Sequence, residues 1–201
     1  MPLISNNRHN RIMIFIDLRN VMKSIELQAV ETRLDLYAMA KQLVGPRDLV
    51  AAYVFDTRMP LDVKDSSRRF HDKLRYLGFR VVAREAYDPH RNEQKEVDVA
   101  MACEMVVHAL RDHYDVAIVV SGDRDFVPAM QHVQAAGKMV EVAAFAKSVS
   151  DEAIRSADRF HKLETMPLLQ MSAAGGEMVF EEPAAAEEGG AETDGVVDDE
   201  V

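Results

Sequence analysis

Five apolar runs of strand length punctuate the first 145 residues: RIMIFID (11–17), DLVAAYVFD (48–56), FRVVARE (79–85), YDVAIVVSGD (114–123) and KMVEVAAF (138–145). Each is rich in the β-branched or aromatic residues that fit a pleated, buried surface. Between them the period changes. In residues 62–77, Val63, Phe70, Leu74 and Leu77 fall on one side of a wheel of about 3.6 residues per turn, which predicts an amphipathic helix. Strands that are apolar almost throughout, alternating with helices, predict an α/β fold: a doubly wound, mainly parallel β-sheet flanked by helices on both faces. Gly78 and Gly137 stand where a helix has to stop before the next strand. In such a sheet ligands bind beyond the carboxyl ends of the strands, where strand order reverses, so function is expected at that edge.

After about Thr165 the texture changes to MSAAGGEMVFEEPAAAEEGGAETDGVVDDEV, rich in Ala, Gly and acids. Such a segment buries too little apolar surface to offset its ordering entropy and is expected to be disordered. The predicted organisation is therefore an N-terminal extension (1–10), one domain (11–165) and an acidic tail (166–201). The net charge of -10 belongs to that tail. No Lys or Arg follows Lys162, whereas ten of the 34 acids lie beyond Thr165, so residues 1–165 carry 24 charges of each sign. This segregation suggests that the tail mimics a polyanion. Removing residues 166–201 is then expected to strengthen binding of a polyanionic partner at low salt, and an unchanged affinity would reduce the tail to a solubilising segment.

The single cysteine, Cys103, excludes an internal disulfide and a cysteine-built zinc site, in keeping with a reducing, cytoplasmic location. No apolar stretch reaches the length of a membrane span. The opening MPLISNNRHNR has no apolar stretch after its charges, so no secretory signal and no membrane partner are expected.

The carboxylates give the chemistry its outline. The first predicted strand closes with Asp17, the second with Asp56 and the fourth with Asp123, followed by Asp125; Asp98 opens a helix in QKEVDVAMACEM. If strand order reverses between the first and fourth strands, Asp17 and Asp123 lie side by side, with Asp98 and Asp125 near enough to close a ring. Two carboxylates about 4 Å apart repel by on the order of 4 kcal/mol at an effective dielectric near 20, so a protein that gathers several either protonates some or binds a cation. An all-oxygen set suits Mg²⁺ or Mn²⁺ better than zinc. Taken singly, each aspartate reads equally well as a strand-end turn residue or a helix cap, and for Asp56 that reading is preferred.

Several alternatives lack their residues. No GxGxxG follows the first strand, no GxxxxGK[ST] occurs, and no GxSxG elbow is present. An aspartyl-phosphate phosphatase needs a second Asp two residues after Asp17, where Arg19 stands.

In this order on an alternating chain, IFIDLRN (14–20), KEVDVAMACEM (95–105) and VVSGDRDFVPAM (119–130) resemble the NYN domain of the PIN-like nuclease superfamily, in particular its LabA-like branch. The resemblance spans roughly residues 10–163 and extends to SDEAIRSADRFHKL, similar to the family's closing helix and last short strand. It implies a PIN-like fold and a Mg²⁺- or Mn²⁺-dependent ribonuclease. By position in the motifs, Asp17, Asp98, Asp123 and Asp125 are implied as the catalytic, metal-binding set, with Asn20 and Ser121 supporting it. Asn20 suits the orientation of a water or a phosphate, and Ser121 suits holding the turn or a phosphate. Glu104, six residues from Asp98, lies about 240° round a helix from it and does not join the set.

The implied reaction is metal-assisted hydrolysis of RNA phosphodiester bonds through one or two ions, with DNA an open second substrate. Lys64, Arg68, His71 and Arg75 fall within about 60° on the wheel and form a candidate basic stripe for a phosphate backbone, although a solvated helix face explains them as simply. Lys95 and Arg124 stand closer to the acids. His108, His113 and His132 read as helix-surface or capping residues, and Met101, Met105 and Met130 as core. The alternative from another class is a non-catalytic nucleic-acid-binding or regulatory module that keeps the fold.

Overall fold

The run RIMIFID forms β1 (Arg11–Asp17) and shows why it reads as continuously apolar: Ile12, Ile14 and Ile16 pack into one hydrophobic layer, Met13 and Phe15 into the other, and none is more than 1% exposed. A strand covered on both faces has no outward positions left for polar residues. The structure is a computed structural model, and it describes residues 10–27, 32–58, 66–85, 93–166 and 168–170. The predicted acidic tail and Lys64 lie outside the described residues, except for the few positions up to Gln170.

After β1 come α1 (Leu18–Glu26), β2 (Thr32–Leu34), α2 (Leu36–Val44), β3 (Asp48–Arg58), α3 (Ser66–Tyr76), β4 (Arg80–Glu85) and α4 (Glu93–Leu110). The second half runs β5 (Val116–Val120), a short 3₁₀ turn (Arg124–Phe126), α5 (Val127–Ala135), β6 (Met139–Ala144), α6 (Asp151–Ser156), β7 (Arg159–Lys162) and β8 (Leu168–Gln170). Six strands make a wholly parallel sheet in the order β4-β3-β1-β5-β6-β7. Residues of α1, α2 and α3 fill the layer on the Ile12 side, and residues of α4, α5 and α6 fill the layer on the Phe15 side. The α/β doubly wound expectation is met, and each of the five predicted apolar runs is a strand of this sheet. Helices α3 and α5 end at Gly78 and Gly137, whose φ of 92° and 79° only glycine adopts without strain.

Two features lie outside the sequence reading. A separate antiparallel pair joins β2 to β8, three residues each, too short to announce themselves by period. The polar residue inside KMVEVAAF, Glu141, is 1% exposed within β6. Arg47 grips it at 2.8 and 3.1 Å and His161 Nε2 meets it at 2.8 Å. Burial alone would push this carboxyl up, but the bonds and charges of His161 and Arg47 outweigh it and hold the group at about 2.

A depressed carboxyl stabilises the fold above its ordinary 4.5, and that contribution is lost as pH falls toward 2. Glu141→Gln is expected to cost about 3 kcal/mol at neutral pH, because Arg47 loses its buried partner. Urea midpoints should show the gap between wild type and variant narrowing below pH 4.5; a gap independent of pH would contradict the assignment.

Among the described residues no helix is long and apolar enough to cross a membrane.

Candidate functional site

Strand order reverses between β1 and β5: from β1 the chain builds outward through β3 and β4, and from β5 through β6 and β7. The two strands pair in parallel, Ile16 beside Val120, so their carboxyl ends emerge together. At the end of β1, Asp17 keeps extended geometry (φ -81°, ψ 94°) and caps α1, its Oδ1 accepting the Asn20 N–H at 3.0 Å. At the end of β5 the residues Ser121, Gly122 and Asp123 turn into the 3₁₀ segment, where Asp123 Oδ1 accepts the Asp125 N–H at 3.0 Å.

The two ends are stitched to each other. Ser121 Oγ donates to Asp17 Oδ2 at 3.2 Å and accepts the Asp123 N–H at 3.2 Å, and Asn20 Oδ1 accepts the Gly122 N–H at 3.0 Å. Gly122 itself is wedged against the loop after β6. A Cβ there would meet the Ser148 carbonyl oxygen and the Val149 Cα, each at 2.8 Å, and its own oxygen accepts the Ser150 N–H at 2.9 Å. The position of Asp123 is thus set by backbone contacts that leave no room for a side chain at residue 122.

Asp17 is only 4% exposed. Burial raises its carboxyl above the ordinary 3.8, Asp98 and Asp123 raise it further, and together they outweigh the bonds from Asn20 and Ser121 to leave it at about 6. No cation appears among the groups that act on it most strongly. Asp98 and Asp123 are half-buried and Asp125 is exposed. Of the four aspartates singled out in the sequence, the structure therefore places Asp17, Asp98 and Asp123 in one electrostatic neighbourhood and Asp125 at its rim. Among the described residues no three His, Cys, Asp or Glu side chains stand as a ready-made ligand set for a metal ion.

Both supporting residues are engaged with the turn. Ser121, 2% exposed, holds it, which is the first of the two uses open to it in the sequence. Asn20 clamps Gly122 through its amide oxygen.

The basic stripe on α3 is broken. His71 is 2% exposed and points into the protein, its Nε2 2.8 Å from Asp56 Oδ2. Asp56, also buried, receives the Thr57 N–H at 2.8 Å and lies 3.3 Å from Arg19 Nε. The aspartate with no counterpart in the family motifs, two residues before the end of β3, anchors a network of buried His71 and exposed Arg19. A helical wheel placed His71 on the polar side but could not show that β3 carries an acid facing it. Arg68 and Arg75 are exposed on α3, Arg75 paired with Asp72 at 2.8 Å. Lys95 and Arg124 are exposed as well.

Arg84, which the sequence reading did not single out, lies with Lys95, Glu96, Val99 and Ala100 around an open hollow of about 460 Å³. A cation closing a strand at the functional edge was the signal available for it.

His108 also differs from its surface reading, its side chain being only 12% exposed. His108 meets Tyr53 Oη at 3.0 Å, Glu104 at 3.1 Å and His113 at 2.7 Å. Burial first, then His113 and Arg80, push its imidazole down against the pull of Glu104. Glu104 thus serves His108, and it stays out of the aspartate group.

A sheet with this order, carrying acids at its switch point, is consistent with the PIN-like α/β class. Over residues 11–164 the chain matches the NYN domain family, and it belongs to that family, whose fold is nuclease-like. Among solved structures it is similar to the crystal structure of a protein of unknown function, VPA0982 from Vibrio parahaemolyticus RIMD 2210633, with 26% identity and a TM-score of 0.67 over 83% of this chain and 100% of that one. No curated protein matches the chain. The LabA-like placement rests on the sequence motifs alone.

Proposed function

We propose that the chain is a metal-dependent ribonuclease that hydrolyses RNA phosphodiester bonds at the edge where β1 and β5 end. The observation that carries this reading is Asp17: a carboxylate buried to 4% exposure, pushed up to about 6, beside two further aspartates. Such a group is costly as structure and useful as a ligand. The donors are hard oxygens, and the excess negative charge invites a divalent cation, which fits Mg²⁺ or Mn²⁺. Asp17, Asp98 and Asp123 would hold the ion, with Asp125 at the rim. When bound, it supplies Lewis-acid polarisation of the phosphate and activation of water.

The chain's own residues do the rest. Ser121 and Asn20 hold the two strand ends at fixed separation, so the carboxylates are presented by rigid elements. Arg124, exposed and next to Asp123 in the chain, and Lys95, exposed three residues before Asp98 and sharing a hollow with Arg84, supply positive charge that suits a polyanion. Arg68 and Arg75 on α3 are second in rank as backbone contacts, since Arg75 already has Asp72.

The test offers single-stranded RNA, single-stranded DNA and nucleoside monophosphates with Mn²⁺ or Mg²⁺. Internal or terminal cleavage of RNA supports the reading. Phosphate released from monophosphates alone would make the protein a phosphatase, and RNA binding without turnover would make it the binding module.

A further inference from the structure

Helix α4 is apolar on two sides. Val97, Met101, Met105 and Ala109 pack inward, each at most 3% exposed. On the outer side Val99 is 62% exposed, Val107 38% and Leu110 71%, with Cys103 also exposed between them. A surface helix ordinarily carries polar residues there, and one that is apolar all round is ordinarily covered on both sides.

The stripe has a symmetry of its own. Val99 and Val107 lie four residues before and after Cys103, and at about 100° per residue Val99, Cys103, Val107 and Leu110 fall within an arc of about 80°. Glu96, exposed, closes the stripe at the amino end, and Arg111, exposed, follows its carboxyl end. Glu96 falls within the arc of the stripe and Arg111 about 60° from Glu96 toward one flank, while Lys95 lies on the opposite flank.

From this we infer that the outer face of α4 is a self-association surface, on which a second copy of this chain packs with its α4 antiparallel, about a two-fold axis passing at Cys103. In that arrangement Val99 meets Val107 of the second copy, Cys103 meets Cys103, and Glu96 meets Arg111 at both ends. A parallel arrangement would oppose Glu96 to Glu96 and Arg111 to Arg111, so the charges select the antiparallel one. An isologous two-fold contact is also the commonest way for a chain to meet itself. The stripe is roughly 16 Å long, which places the contact at the small end of protein interfaces and makes the dimer reversible. Asp98 acts on Asp17 from the inward side of the same helix, but pairing covers Glu96 and Val99, which share a hollow with Arg84 and Lys95, so the dimer and a polyanion held by those two cations compete for that hollow.

The experiment uses the full chain. Sedimentation equilibrium across a wide concentration range is expected to show monomer and dimer. Mild oxidation is expected to give a disulfide-linked dimer, which can form only through Cys103 because it is the single cysteine. Val107→Glu should weaken dimerisation by at least about tenfold and suppress the cross-link, whereas Tyr76→Glu, at a site 85% exposed elsewhere, should change neither. Glu96→Arg and Arg111→Glu should each weaken the dimer, and the double variant should restore it. A chain that stays monomeric at every concentration, a cross-link equally fast in Val107→Glu, or a double variant no better than either single one would overturn the inference.

Discussion

Asp17→Asn is expected to lower RNA cleavage by more than about 100-fold while making the protein more stable in EDTA. The loss follows from removing a charged ligand, since changes one shell further out already cost about 10–100-fold in such sites. The gain follows from the same charge. In the folded chain Asp17 has been raised from 3.8 to about 6, so its stabilising contribution is complete below pH 3.8 and disappears as pH rises through about 6. Above that range the ionised carboxylate costs the fold up to about 3 kcal/mol, which a neutral isostere avoids. Asparagine keeps the cap on α1, because its amide oxygen accepts the Asn20 N–H as Oδ1 does now. The hydroxyl of Ser121 has to turn to receive the new amide group, which reduces the gain. Urea midpoints in EDTA at about pH 4 and about pH 7 check the pH dependence. A variant that cleaves like wild type, or is less stable at neutral pH, would remove Asp17 from the account.

The second large effect is expected at a residue with no side chain. In Gly122→Ala the new Cβ would stand 2.8 Å from the Ser148 carbonyl oxygen and from the Val149 Cα, both backbone atoms that cannot swing aside. Overpacking of this kind costs about 1–3 kcal/mol. Relief comes only by moving the turn that carries Asp123 or the loop that follows β6, so activity falls with stability. Gly137→Ala is the control. Its cost is backbone strain at φ 79°, about 1–2 kcal/mol, with nothing within 4 Å of the added methyl. Comparable losses in the two variants, with cleavage reduced only in Gly122→Ala, are expected. Equal activity in both would mean that the turn does not position the site.

Much of this architecture was readable in the chain because the strands are buried on both faces and announce themselves as apolar runs. The adjacency of Asp17 and Asp123 followed from one topological rule, strand reversal at the centre of a doubly wound sheet, and the β1–β5 pairing obeys it. What escaped was long-range polar pairing. His71 looked like a member of a basic stripe because periodicity reports the side of a helix and says nothing of the acid at position 56 on a neighbouring strand. Glu141 stands inside an apolar run, and its partners Arg47 and His161 come from elsewhere in the chain, one before it and one after. The role of Gly122 was hidden for a related reason: glycine is ordinary at a strand end, and only the loop at Ser148 shows why no larger residue fits.

The central claim is that the aspartates at the ends of β1 and β5 make this NYN domain a metal-dependent ribonuclease. The measurement that tests it most directly is cleavage of an end-labelled single-stranded RNA by wild type and Asp123→Asn in parallel, with Mn²⁺, with Mg²⁺ and with EDTA. Asparagine retains the acceptor for the Asp125 N–H, so the turn is kept and only the charge is lost. The account predicts cleavage by wild type with a divalent ion, none in EDTA, and a loss of more than about 100-fold in the variant. Cleavage equal in the two proteins, or indifferent to EDTA, would contradict it.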